Sequence, residues 1–306
     1  MAHEFEALRQ LDTEQRNPRT EEFDNRSTLE MLAMMNAEDT LVPAAVAAQL
    51  PTIATAVDRI ADALRNGGRL FYVGAGTSGR LGMLDAYECP PTFGTPPELV
   101  QALVAGGVAR DRADESAEDD PALGADELRQ RGLTAADVVV GIAASGRTPY
   151  VVGALQYAAS VGAATIALAC TRGSAIGKAA ALAIEVPVGP EALTGSTRLK
   201  AGTAQKLVLN MLSTVTMVKL GKAYSNLMVD MEPSNGKLRV RASRIVSMAT
   251  GADDAAVERA MTQAGDHVKA SIVMLLADVE AAEAHRLLEE AGGVVRLALR
   301  LAGREA

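Results

Sequence analysis

Residues 69–94, RLFYVGAGTSGRLGMLDAYECPPTFG, decide how this chain folds. Within them, the apolar run 70–73 has the length of a buried parallel strand. A glycine-rich turn at 74–79 follows directly, and a helix-compatible run begins at Arg80. A strand, a glycine-rich turn and a helix N-terminus together form an anion site, because backbone N–H groups and the positive end of the helix dipole converge there. The stretch therefore predicts α/β structure with an anion-binding turn.

Small polar residues in this turn favour a phosphate group as the anion. Thr77 and Ser78 carry hydroxyl donors, and Gly76 allows a ligand to approach the backbone. The turn also matches the dinucleotide pattern G-x-G-x-x-G, but no acidic residue suited to bind a ribose follows it in a strand–helix–strand unit. Glu88 lies shortly after the turn. A carboxylate near a phosphate-binding turn predicts chemistry on a phosphorylated small molecule.

The composition indicates a globular protein and restricts its partners and cofactors. Of 306 residues, 48% are hydrophobic, and the net charge of −8 disfavours nucleic acid or an anionic membrane as a partner. No apolar run reaches about 18 residues, which disfavours a membrane span. Two cysteines, Cys89 and Cys170, and the lack of a signal-peptide pattern favour a reducing cytoplasm. The histidines His3, His267 and His285 are few and scattered, so no metal site and no Ser-His-Asp triad is predicted.

Strand and helix patterns alternate along the middle of the chain. Apolar runs at 138–142, 165–169 and 183–186 predict three further buried strands. This alternation is typical of a doubly wound parallel α/β sheet, in which ligands bind at the carboxyl ends of the strands.

Three turns rich in hydroxyl groups fall at strand ends or helix starts. Besides 74–79, they are 143–148 and 195–197. One such turn is common by chance, whereas three are better explained by one shared anionic ligand. The second and third turns add these candidate binding residues: Ser145, Gly146, Thr148, Ser196 and Thr197.

Two helix starts outside the predicted sheet have recognisable caps. Ser27 and Glu30 form a capping-box pattern, and a methionine stripe follows that is expected in a core or at a subunit contact. A long helix is predicted to end near Leu220, with Ser196 or Thr197 as its N-cap.

The chain is predicted to contain three segments. An N-terminal helical arm (1–50) precedes an α/β domain with the predicted phosphate-binding turns (51–245), and a small helical bundle (246–306) follows. Three short helix patterns define the bundle, and Asp266 is expected to cap the second of them. At this size the bundle is below comfortable independent stability.

Three long contiguous segments carry a family resemblance. They read GAGTSGRLGMLDAYECPPTFG (74–94), VVVGIAASGRTPY (138–150) and LTGSTRLKAGTAQKLVLNMLS (193–213). These segments resemble the N-acetylmuramic acid 6-phosphate etherases, and the resemblance extends over nearly the whole chain. It implies a sugar isomerase (SIS) fold, a three-layer α/β/α sandwich with a parallel sheet. It also implies a C-terminal three-helix bundle similar to a ubiquitin-associated (UBA) domain.

The resemblance implies an activity as well. Such enzymes split N-acetylmuramate 6-phosphate into N-acetylglucosamine 6-phosphate and D-lactate without a metal or organic cofactor, and act as cytoplasmic homodimers in cell-wall sugar recycling. An ether is a poor leaving group for direct hydrolysis, but the C1 aldehyde of the open-chain sugar acidifies C2–H. One carboxylate can remove this proton while one carboxylic acid protonates the departing lactate oxygen at C3, after which water adds.

Two acids of this chain match the two catalytic acids of the family by motif. By this match, Glu88 corresponds to the family residue that donates a proton to the departing lactate. The second family acid lies in a Glu-Gly-Ala-Glu-Asp segment, which reads ESAED here, so Glu118 is the expected base. The chain departs from the family in this segment, because Ser116 replaces the glycine and the preceding residues are about one fewer. Glu115 therefore remains an alternative base, and Tyr87 replaces the family's serine beside the first acid.

Hydroxyl groups and amides of the first two turns are expected to bind the phosphate in this family. They are the hydroxyls of Ser78, Ser145 and Thr148 and the N–H groups of Thr77 and Gly146. Arg80, Arg147 and Lys200 are candidates for added positive charge, although such residues are more often structural or surface charges. Ser196 and Thr197 are expected to serve as helix cap, sugar contact or both.

Two other functions stay open at this point. A phosphosugar-sensing regulator, like the glucokinase regulatory protein of the same ancestry, would need the phosphate turns but not both acids. An aldose–ketose phosphosugar isomerase would abstract a proton but release no lactate. A transcription regulator is disfavoured, since the chain is acidic and has no helix-turn-helix pattern.

Overall fold

A parallel sheet of five strands forms the core of the first part of the chain. Its strands are β1 (Leu70–Gly74), β2 (Val100–Val104), β3 (Val138–Ala143), β4 (Ala164–Ala169) and β5 (Leu182–Glu185), in the order β2-β1-β3-β4-β5. β1 and β3 are buried at every residue, as expected for strands covered on both faces. The four apolar runs recognised in the sequence are confirmed as β1, β3, β4 and β5.

The edge strand β2 is not predicted by the sequence pattern. It pairs in parallel with β1, with Val104 opposite Gly74. Its central residues, Gln101 and Ala102, are only half-buried. Because an edge strand is covered incompletely, a polar residue interrupts its apolar run and weakens the pattern.

The structure is a computed structural model that describes residues 12–107, 115–231 and 236–304. Short 3₁₀ turns occur at Asp12–Glu14, Pro18–Thr20, Phe23–Asn25 and Glu115–Asp119. The α-helices are α1 (Thr28–Asp39), α2 (Val42–Ala47), α3 (Leu50–Arg65), α4 (Gly76–Phe93), α5 (Pro121–Gln130), α6 (Pro149–Val161), α7 (Ala175–Ala179), α8 (Lys200–Lys219), α9 (Gly236–Thr250), α10 (Asp254–Gln263), α11 (Val268–Ala277), α12 (Ala281–Glu290) and α13 (Val295–Leu301), and a short hairpin is formed by β6 (Ala223–Tyr224) and β7 (Leu227–Met228).

Helices cover both faces of the sheet. On one face, Phe71 and Val73 of β1 belong to the same core cluster as Leu155 of α6. On the other face, α4 lies so close that a Cβ added at Gly82 would be 2.9 Å from the Cβ of Tyr72. The sheet is therefore the middle layer of an α/β/α sandwich, which confirms the predicted fold class.

The predicted capping box at the start of α1 is confirmed. The N–H of Glu30 donates to Ser27 Oγ, and the N–H of Ser27 donates to the Glu30 carboxylate. Met31, Met34 and Met35 of the same helix are each half-buried.

The chain groups into two units, and the boundary between them falls within α4 and α8. The described residues of Met1–Tyr87 and Pro97–Ser213 form the first unit, and those of Glu88–Pro96 and Thr214–Ala306 form the second. The segment boundaries expected after residues 50 and 245 stay predictions.

The second unit contains the C-terminal helical bundle, whose core includes Ile272 and Leu287. The three helices predicted after residue 251 correspond to α10, α11 and α12, and the final apolar segment forms a fourth helix, α13. The prediction that Asp266 caps α11 is wrong. His267 Nδ1 accepts the N–H of Ala270 instead, because Asp266 has the left-handed φ of +63° and an N-cap needs extended backbone.

Within the described ranges, no single helix is long and apolar enough to cross a membrane. The helix pair Thr28–Ala47 and Leu50–Arg65 passes that length and composition test together, but it is bent by 61°. In the same ranges, no group of three or more His, Cys, Asp or Glu side chains is arranged to hold a metal ion.

A buried charge network ties the N-terminal segment to α8. Lys200 Nζ donates to Glu38 Oε2 at 2.6 Å, and both side chains are at most 2% exposed. Arg19 donates to both carboxylate oxygens of Glu38. These hydrogen bonds, first that from Arg19 and then that from Lys200, lower the pKa of Glu38 from its ordinary value of 4.5 to about 2.

Glu38→Gln is expected to lower the free energy of unfolding by about 3–5 kcal/mol at pH 7, because it leaves the buried Lys200 ammonium without its carboxylate. Urea unfolding followed by circular dichroism measures this change. The folded pKa of Glu38 lies below the unfolded value, so its contribution is present above about pH 4.5 and is lost as the pH falls toward 2. The difference between the two proteins should shrink in the same range.

Glu22→Gln is the matched control for this prediction. Glu22 pairs with Arg26 at 2.6 Å on the surface, and exposed pairs contribute about 0–1 kcal/mol. An equal effect of both substitutions would contradict a stabilising role for the buried network.

Candidate functional site

The first two hydroxyl-bearing turns lie side by side at the carboxyl ends of neighbouring strands of the sheet. β1 and β3 are parallel neighbours, with Gly74 opposite Ile142. From β1 the chain passes to β2 on one side, and it then returns to β3 on the other side. The turns that follow β1 and β3 therefore flank the point at which the strand order reverses, where open α/β sheets bind ligands.

The first turn passes directly into α4, which begins at Gly76 rather than near Arg80. Thr77 and Ser78 thus lie in the first turn of the helix, where backbone N–H groups have no acceptor within the helix. Gly74 and Gly79 allow this tight connection, since a Cβ added at Gly79 would lie 2.6 Å from the carbonyl oxygen of Gly74. The arrangement presents amide donors and a positive helix end to an anion.

The second turn carries a buried donor that has no partner. Nη1 of Arg147 is buried and makes no hydrogen bond to any described residue. Gly146 has a φ of +68°, and a Cβ there would lie 2.4 Å from the Cβ of Ser174, so the turn requires glycine. Ser145 is half-buried and Thr148 is buried. Because buried donors are nearly always paired, Arg147 is available to an anionic ligand.

Thr148 connects this turn to the expected base. Its Oγ1 donates to Oε1 of Glu118 at 2.9 Å. Glu118 is exposed and lies in the 3₁₀ turn Glu115–Asp119, just before α5. The expected base is thus held against the second turn. Thr148 as a phosphate ligand stays a prediction, since its single hydroxyl proton points at Glu118 here. The side chain of Glu115, the alternative base, lies outside the described residues.

The third turn does not cap α8, so the predicted N-cap at Ser196 or Thr197 is wrong. α8 begins at Lys200, and the carboxylate of Glu191 accepts the N–H groups of Lys200 and Ala201, each at 2.9 Å. Glu191 is fully buried, and this burial raises its pKa despite the two amide donors. Ser196 and Thr197 are half-buried, and their contact with a sugar stays a prediction.

The three candidate cations have different environments. Lys200 is 1% exposed and paired with Glu38, which makes it a structural charge. Arg80 is exposed on α4. Arg147, with its unpartnered nitrogen in the second turn, is the one among these three that suits an anion.

The expected proton donor, Glu88, is an exposed residue of α4 and belongs to the second unit. The neighbouring Tyr87 is 66% exposed.

A buried acid that the sequence patterns do not single out anchors α4. Asp85 accepts hydrogen bonds from Tyr72 of β1 at 2.9 Å and from Asn210 and Ser213 of α8 at 2.8 and 3.0 Å. Burial raises the pKa of Asp85 in spite of these donors. Nothing in its sequence context distinguishes it from a surface acid, because its partners come from distant segments.

The sequence of this chain matches known protein families and relatives. The profile of the glucokinase regulatory protein N-terminal SIS domain matches residues 52–159, and that of the SIS domain matches residues 124–215. The N-acetylmuramic acid 6-phosphate etherase of Streptomyces coelicolor is 57% identical over 95% of this chain and 94% of its own length. The chain belongs to the N-acetylmuramic acid 6-phosphate etherase family.

A further etherase, from Serratia proteamaculans, is 58% identical over 94% of this chain and 98% of its own. Among solved structures, a phosphoheptose isomerase from Neisseria gonorrhoeae is 20% identical, covers 62% of this chain and 98% of its own, and has a TM-score of 0.49. The parallel sheet with its flanking helices is the SIS fold of the etherase family, as predicted.

Proposed function

We propose that this chain cleaves the D-lactyl ether of N-acetylmuramate 6-phosphate and yields N-acetylglucosamine 6-phosphate and D-lactate. The reaction is an elimination followed by addition of water, so the chain is a carbon–oxygen lyase. Membership of the etherase family supports the substrate and the reaction. The two turns at the reversal point of the sheet support a phosphosugar ligand.

In this proposal the phosphate is held by Ser78 and Ser145 and by the first-turn amides of α4. Glu118 removes the proton from C2 of the open-chain sugar, where the aldehyde stabilises the carbanion. Glu88 protonates the lactate oxygen as it leaves C3. Water then adds to the unsaturated aldehyde and restores the C3 hydroxyl.

The observation that carries the proposal is the hydrogen bond from Thr148 to Glu118. It attaches a carboxylate to the turn that is proposed to bind phosphate. A regulator that only senses phosphosugars needs the turn but has no need of this base. An aldose–ketose isomerase would use such a base, but would release no lactate.

The direct test incubates the purified chain with N-acetylmuramate 6-phosphate in excess EDTA and measures D-lactate. We expect equal amounts of D-lactate and N-acetylglucosamine 6-phosphate, with the full rate in chelator, because two carboxyl groups supply the acid–base chemistry. Loss of activity in EDTA that a divalent cation restores would contradict the cofactor-free mechanism. Phosphosugar binding without lactate release would favour a regulator.

Ser78→Ala and Ser145→Ala are each expected to raise KM about 10- to 100-fold, because each removes a hydrogen bond to a charged phosphate. Steady-state kinetics of lactate release measure the change. Ser160→Ala, in an exposed position of α6, is the matched control and should leave KM unaltered. Equal turnover of N-acetylmuramate with and without its phosphate would exclude the phosphate assignment.

We also propose a cytoplasmic homodimer. Cys89 and Cys170 are both buried thiols, which suits a reducing compartment. Leu29 and Leu32 of α1 are 77% and 58% exposed, which suits a helix covered by a second copy. Light scattering should give about twice the 31.8 kDa mass of one chain.

A further inference from the structure

Gln205 lies beside the proposed phosphate turn. It belongs to α8, is 1% exposed, and its Oε1 accepts the hydroxyl proton of Ser78 at 3.0 Å. The same part of α8 packs against the turn, since a Cβ added at Gly202 would lie 3.7 Å from Cγ2 of Thr77. Gly202 and Gln205 are three residues apart and share a helix face.

The other end of the Gln205 carboxamide is unsatisfied. Its Nε2 is buried and makes no hydrogen bond to any described residue. A buried amide nitrogen without an acceptor destabilises the folded chain, so such groups are rare and call for an explanation.

The hydrogen bond between Ser78 and Gln205 also limits what Ser78 can do. A serine hydroxyl has one proton, and while Oε1 of Gln205 accepts it, the proton cannot be donated to a phosphate oxygen. Rotation of the carboxamide by about 180° exchanges Oε1 and Nε2. Nε2 then donates to Ser78 Oγ, and the serine proton becomes free for the ligand.

We propose that Gln205 is a positioning residue for phosphate binding. Its carboxamide rotates by about 180° when a phosphosugar binds. In the unliganded chain it holds the Ser78 hydroxyl in place. In the liganded chain Nε2 donates to Ser78, Ser78 donates to a phosphate oxygen, and Oε1 takes the buried place that Nε2 leaves. The buried donor thus gains a partner, and the group left unpaired is a carbonyl oxygen, which is tolerated more often than an unpaired N–H. This role rests on the proposed function, because it requires that the first turn binds phosphate.

Two substitutions test the two halves of this role. Gln205→Met has a similar volume and no hydrogen-bonding group, so it removes the support of Ser78. Gln205→Glu keeps the shape and has no N–H donor, and in its ionised form it only accepts, so that form retains the serine proton. With N-acetylglucosamine 6-phosphate as the calorimetric probe, we expect Kd to rise about 5- to 10-fold for Gln205→Met and about 10- to 100-fold for Gln205→Glu.

Kinetics distinguish positioning from a general structural defect. KM for N-acetylmuramate 6-phosphate should rise by the same factors while kcat stays within about twofold, because phosphate binding is equal in the ground and transition states. Gln156→Met, at an exposed glutamine of α6, is the control and should alter neither constant.

A double-mutant cycle decides whether Gln205 acts through Ser78. Ser78→Ala/Gln205→Met should bind the probe no more weakly than Ser78→Ala alone. Additive losses, or variants of Gln205 that bind like the wild type, would overturn the positioning role and leave the proposed function intact. A wild-type chain that neither binds the probe nor releases lactate would overturn both.

Discussion

Glu118→Gln is expected to lose both exchange of the C2 proton with solvent and release of lactate, each by about 10²–10⁴-fold. The glutamine keeps a side-chain oxygen for the Thr148 hydroxyl, so the 3₁₀ turn should retain its position while the base is removed. Departure of lactate requires the carbanion at C2, and without a base that carbanion does not form. Nuclear magnetic resonance in deuterated water follows exchange, and a lactate assay follows release.

Two neighbouring acids serve as controls for the register of this segment. Asp119→Asn changes an exposed acid in the same 3₁₀ turn and should leave both rates nearly intact. Glu115→Gln tests the alternative base and should do the same. Loss of exchange in Glu115→Gln, with exchange preserved in Glu118→Gln, would show that the base is Glu115.

Glu88→Gln is expected to separate the two steps. If Glu88 protonates the leaving lactate, its removal leaves the base in place, so C2–H should still exchange with deuterated water. Lactate release should fall by about 10²–10⁴-fold, because the C3 oxygen then departs without a proton. Proton abstraction is reversible and does not require departure of the leaving group, which is why exchange survives.

The same pair of measurements exposes reversed roles. Loss of exchange in Glu88→Gln together with retained exchange in Glu118→Gln would mean that Glu88 is the base and Glu118 the acid. Glu98→Gln offers a matched control for Glu88, since it is also an exposed glutamate of the chain segment after β1. It should leave both rates unaffected.

Local sequence patterns were sufficient to predict the features that depend on neighbours in sequence. The capping box joins Ser27 and Glu30, which are three positions apart, and the structure contains it. The buried strands β1 and β3 are continuous apolar runs, which parallel sheets require on both faces. The glycines of the first turn also follow from local geometry, because strand and helix approach each other too closely for a side chain.

Predictions failed where distant groups compete for the same partner. Ser196 and Thr197 are suitable caps by type, but the carboxylate of Glu191 takes the first amides of α8. Asp266 is a suitable cap for α11, but its left-handed backbone and its ion pair with Arg239 leave that role to His267. Capping propensity ranks residue types, whereas the position of a residue in the folded chain decides whether it caps a helix.

The sequence by itself determined the fold class, the hydroxyl-rich turns after β1 and β3, and the etherase family, because each depends on contiguous residues. Tertiary structure alone decided that Thr148 holds Glu118, that Lys200 is sequestered by Glu38, and that Gln205 meets Ser78. The physical reason is the distance along the chain between the interacting residues. Strands and turns arise from interactions within a few residues, whereas these side-chain pairs are 30, 162 and 127 positions apart and meet only when the sheet assembles.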